Sequence, residues 1–67
     1  MEDLQHVYDL LTKEITKAKH HIEWIDKIIE TCDRLSVEYW RDVRAEAVAY
    51  LNGIHKAQDI VWKELHR

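Results

Sequence analysis

Sixty-seven residues suffice for one small domain but not for a core large enough to carry an enclosed active-site cleft. The net charge of −3 disfavours indiscriminate nucleic-acid binding and leaves room for a local basic face. Proline is absent and glycine occurs once, so the residues that usually stop helices and turn strands are missing, and an all-α chain is predicted.

The chain opens Met1-Glu2-Asp3, acidic where a secretory signal is basic, and no apolar run approaches the roughly 20 residues needed to cross a bilayer. No membrane partner is expected. Cys32 is the only cysteine, so no internal disulfide can form, and a reducing compartment, the cytoplasm, is expected.

In the first half, Leu4, Tyr8, Leu11, Ile15, Ala18, Ile22, Ile25, Ile29 and Cys32 alternate gaps of four and three, the period of a helix packed along a seam. Val7 and Ile28 widen the seam toward what a bundle buries. Helix 1 is predicted from about residue 3 to 32.

Asp33-Arg34-Leu35-Ser36 interrupts the pattern, so a turn is placed at 33–36 with Ser36 as the N-cap of helix 2, predicted over about 37–66. Glu38 in the first turn suits the helix dipole. Trp40, Val43, Ala47, Tyr50, Ile54, Ala57 and Val61 carry the second seam, flanked by Val37, Leu51 and Leu65 on one side and Val48 and Trp62 on the other. Asn52-Gly53 favours left-handed backbone and opens an alternative, a three-helix bundle with a break there. The apolar phase runs through it without a slip, so continuity is preferred, at about 1 kcal/mol for a glycine inside a helix.

The expected fold is therefore all-α: an antiparallel two-helix hairpin that dimerises into a four-helix bundle. The second apolar arc is broader than one neighbouring helix can cover, and exposed apolar patches of that kind mark association surfaces. The shape is similar to that of the small plasmid RNA-binding hairpins that dimerise into four-helix bundles, but no motif of that family is present and no residue role carries over.

A second line on helix 1 runs His6, Leu10, Lys13, Lys17, His20, Trp24, Lys27, Thr31 and Arg34, without an acid, opposite the seam. Lys13, Lys17, His20, Lys27 and Arg34 could meet phosphates, with Trp24 stacking on a base. The competing expectation is a solvated helix face, with Trp24, Trp62, Leu10 and Tyr39 anchoring a protein partner, since aromatic side chains are favoured at interfaces.

Metal and catalytic chemistry find little support. No His-xxx-His pair exists, and adjacent His20 and His21 point about 100° apart on a helix. Cys32 has no second ligand at metal-binding spacing and is expected to be a small core residue. No glycine loop can cradle a phosphate, and two helices offer no pocket for a nucleophile with its base. No metal, no cofactor and no enzymatic activity are expected.

The expected function is a small helical protein-interaction module that binds and regulates or inhibits a larger protein, of the sort phages and mobile elements encode against host factors. A dimeric nucleic-acid binder using the basic line of helix 1 is the alternative, and a structural self-assembly protein the second alternative.

Overall fold

The computed structural model describes residues 3–67. Met1 and Glu2, part of the acidic start weighed above, lie outside the described residues. Two helices, α1 (Leu4–Thr31) and α2 (Arg34–Leu65), pack against each other as a hairpin, with no strand among the described residues. No helix among the described residues is long and apolar enough to cross a membrane.

Local chemistry explains where each helix begins and ends. The Asp3 carboxylate accepts from the Gln5 N–H at 3.2 Å and starts α1. Cys32 closes it by donating its N–H to the Ile28 carbonyl at 2.7 Å. Cys32 and Asp33 are both extended, with φ of −79° and −75°, so the reversal needs neither glycine nor proline.

The N-cap of α2 is Asp33, not Ser36. Its carboxylate accepts from the Ser36 N–H at 3.0 Å, so α2 starts at Arg34, three residues earlier than the sequence suggested. Ser36 qualifies by residue type, but the donors that need a cap are those of the turn Asp33 already covers. α2 then runs unbroken through Asn52-Gly53, and no described residue has a positive φ, which removes the three-helix alternative.

On α1 the seam lies where the alternation of threes and fours placed it. Ile15, Ala18 and Ile25 are buried, Ile25 completely, and the other members from Tyr8 to Cys32 are half-buried. Leu4 is the exception: it is 42% exposed, near the open end of the hairpin.

On α2 the expected seam is covered at Trp40, Val43, Ala47, Ile54, Ala57 and Val61 and fails only at Tyr50, so the face turned to α1 is shifted slightly toward Leu51. The line facing α1 is Val37, Trp40, Arg44, Ala47, Leu51, Ile54, Gln58, Val61 and Leu65, in which every member but Arg44 is buried or half-buried. Tyr50, expected in the seam, is 59% exposed, and Leu51 takes its place against Ile15, Ala18 and Ile54. The two polar members of this line make the polar contacts between the helices. Arg44 Nε donates to Asp26 Oδ1 at 2.6 Å, and Gln58 Nε2 donates to Thr12 Oγ1 at 2.6 Å.

A two-helix layer has one seam and no second side to it. The hairpin is a rod of 50 × 17 × 14 Å with a radius of gyration of 15.5 Å. A compact chain of this length would have about 11 Å.

Candidate protein-docking surface

Because α1 and α2 touch along one line only, residues one step to either side of it sit on two open flanks. One flank carries the polar cross-links Asp26–Arg44 and Thr12–Gln58. The other is mixed, with aromatic rings gathered toward the turn. On α1 it is the line Leu10, Glu14, Lys17, His21 and Trp24, again in gaps of four and three, so these side chains share one side of the helix.

Where this line meets α2, Glu14, Lys17, Ala18 and His21 face Ala47 and Tyr50 across a groove of about 190 Å³. That volume lies below the 300–1,000 Å³ typical of small-molecule pockets. It suits a side chain or two from another protein surface. Lys17 Nζ lies 3.5 Å from Glu14 Oε1, so the charges lining it are partly matched within the chain.

Toward the turn the groove runs into an aromatic cluster. His21 stacks on Trp24 with ring centroids 5.8 Å apart and an interplanar angle of 22°. Trp24 meets Trp40 of α2 edge to face at 6.0 Å, and Tyr39 meets Trp40 in the same manner at 5.3 Å. Such edge-to-face pairs contribute about 0.5–1.5 kcal/mol each beyond area burial. The cluster holds Trp24 and Tyr39 in fixed orientations while leaving them 54% and 63% exposed.

Trp24 stands well off the seam, as the sequence suggested, but its ring reaches Trp40 of α2, and Lys17 likewise reaches the groove. The basic line of helix 1 is split accordingly: Leu10, Lys17 and Trp24 turn toward the groove, while Lys13, His20 and Lys27 point away. Arg34 leaves the line altogether, because it is the first residue of α2. On the outer line each lysine has an acid one turn away: Asp9 lies four residues before Lys13, Glu23 four before Lys27 and Glu30 three after it.

Of the other expected anchors, Leu10 extends the groove flank toward the open end. Trp62 lies apart, near the C-terminal end of α2, where His66 stacks on one face of its ring at 4.1 Å and leaves it half-exposed. Residues not singled out from the sequence are His21 and Ile60, the latter 63% exposed. The four-three spacing of Glu14, Lys17, His21 and Trp24 carried the signal, one position off the seam. Leu35, almost wholly exposed beside the turn, lies outside the seam as well.

The Arg44 guanidinium is raised above its ordinary value by the hydrogen bond to Asp26 and then by the charge of that carboxylate. It lies away from the aromatic flank and acts on the packing of the helices. No three His, Cys, Asp or Glu side chains converge on a metal-sized point among the described residues. No protein-family model, no curated protein and no solved structure matches the chain.

Proposed function

We propose that the chain is a non-catalytic protein-interaction module of the cytoplasm that associates with a second copy into a four-helix bundle and docks on a larger protein, which it regulates or inhibits. The observation that carries this is a rigid, half-exposed aromatic surface on a hairpin that fully buries a single side chain, Ile25. Anchors held in place before contact lose little conformational entropy on binding. Trp24, Tyr39 and Trp62 have that character, each with a ring neighbour on its own chain.

The nucleic-acid alternative draws less from this geometry. Its lysines are divided between two lines, those of the outer line are interleaved with acids, and Lys17 faces Glu14. A phosphate-tracking surface needs an uninterrupted positive field.

The test is capture from lysate by the immobilised chain, with Trp62→Ala and a Lys13→Gln/Lys17→Gln/Lys27→Gln variant in parallel. The module predicts a discrete protein retained at low and high salt, lost about tenfold with Trp62→Ala and unchanged by the lysine variant. Retention of nucleic acid that salt and the lysine variant both abolish overturns it. Retention of nothing does so as well.

A further inference from the structure

The hairpin exposes 5549 Å² of surface. A monomeric globular protein of 8.1 kDa exposes roughly 4,500 Å². The surplus, roughly 1,000 Å², is close to the roughly 800 Å² each partner contributes to a standard-size interface. It is the area one copy of this chain needs to lose to resemble a stable globular surface.

The aromatic flank has an internal symmetry that says what can cover it. The groove residues Lys17 and Tyr50 face each other across the hairpin, and each lies at the midpoint of its own helix, α1 being Leu4–Thr31 and α2 Arg34–Leu65. About that level the exposed apolar residues are mirrored. Leu10 and Trp24 stand seven residues to either side of Lys17, and Tyr39 and Ile60 stand eleven and ten residues to either side of Tyr50. Glu14 and His21, both in the groove, stand three and four residues to either side of Lys17. A surface that reads the same from both ends is self-complementary under a twofold axis, which is what an isologous dimer requires.

We infer that the aromatic flank is covered by a second copy of the chain, antiparallel to the first, with the twofold axis passing through the groove at Lys17 and Tyr50. This rests on the interaction-module reading and names the occupant of one of its surfaces. In this register Trp24 packs on the partner's Leu10, Tyr39 packs on the partner's Ile60, and the Glu14 carboxylate faces the partner's His21, while the two Lys17 side chains meet at the axis, each held 3.5 Å from the Glu14 of its own chain. The polar flank and Trp62 stay outside the dimer, which leaves Trp62 for the larger protein. A twofold axis running along the bundle would instead stack the two aromatic clusters on each other and bring the two turns, with Cys32, to the same end.

The single cysteine distinguishes the registers. In the antiparallel dimer the two Cys32 residues sit at opposite ends, each roughly 22 Å from the axis at 1.5 Å per helical residue, so about 44 Å apart. Purified chain is weighed in solution by light scattering, and its spin-labelled Cys32 is examined by pulsed electron resonance. A mass near twice 8.1 kDa with a label separation of about 40–50 Å supports the proposal. A dimer with labels within about 25 Å overturns the register and leaves the proposed function standing; a monomer overturns the dimer altogether.

Trp24→Ala should weaken association at least tenfold, with Lys13→Gln within twofold of wild type; equal effects overturn the assignment of the face. Should Trp24→Ala lose helicity, Ile60→Ser, at an exposed position, gives the same readout without touching the seam.

Discussion

Gln58 and Thr12, 46 residues apart in sequence, meet across the hairpin at 2.6 Å, and the Thr12 hydroxyl in turn donates a hydrogen bond to the Tyr8 carbonyl at 3.1 Å. A half-buried amide thus sits in the apolar line of α2 with a partner that is itself already satisfied. Removing the amide strands no buried donor on the other side, so Gln58→Leu should raise the unfolding free energy by about 1 kcal/mol through added apolar burial. Chemical denaturation checks this. A loss of stability would mean the hydrogen bond outweighs the apolar gain.

Ile25 is the one fully buried large side chain among the described residues. Truncation to alanine leaves a cavity that two rigid helices cannot close completely, and Ile25→Ala should cost about 2–4 kcal/mol. For a core this small that is a large part of the total, so the circular-dichroism melt of the variant should begin near room temperature. A melt within a few degrees of wild type contradicts the packing described.

Asp33 and Ser36 offer a paired test of the turn. Asp33→Ala removes the acceptor for the Ser36 N–H and should cost about 1 kcal/mol. Ser36→Ala should leave stability within about 0.3 kcal/mol, its hydroxyl having no capping role. The reverse order in thermal melts would restore Ser36 as the cap.

Gly53 lies inside α2 with a negative φ, and a Cβ built there meets nothing within 4 Å. Gly53→Ala should therefore stabilise the hairpin by about 1 kcal/mol, through lower unfolded-chain entropy and higher helix propensity. Denaturation at a concentration low enough to keep the chain monomeric reads this directly.

Arg44 and Asp26 are both near half-exposed, so their contact places α2 against α1 more than it stabilises it. Arg44→Ala should lower the melting temperature measurably less than Ile54→Ala, which empties a buried position.

The α1 seam was legible in the sequence because every position on it is apolar, and Tyr8 through Cys32 are covered as that pattern requires. The α2 seam was legible in part: Trp40, Val43, Ala47, Ile54, Ala57 and Val61 are covered as expected, but Tyr50 is not. Two of its positions hold Arg44 and Gln58, whose polarity conceals a line that their long side chains in fact serve, while Val43, Tyr50 and Ala57 offer a cleaner apolar alternation about one residue away. Hydrophobic periodicity locates a helix well and its rotation less well when polar seam residues find partners across the interface. The site was legible in part for a different reason: Trp24 and Lys17 stand well off the α1 seam, as expected, but their long side chains reach Trp40 of α2 and the groove that Tyr50 also lines.

The two-residue link between Thr31 and Arg34 also sets the order in which the rod can close. Pairing begins beside the link and runs outward like a zip: Asp26 needs a loop of 18 residues to reach Arg44, and Thr12 then finds Gln58 at a separation of 46 with most of that loop already closed. Each step costs little, so the hairpin should assemble on a microsecond-to-millisecond scale, and opening should retrace the path. Amide protons near Leu4 and Leu65 should exchange first and those around Ile25 last, which makes the end bearing both termini the supple end of the rod and the turn its hinge pin.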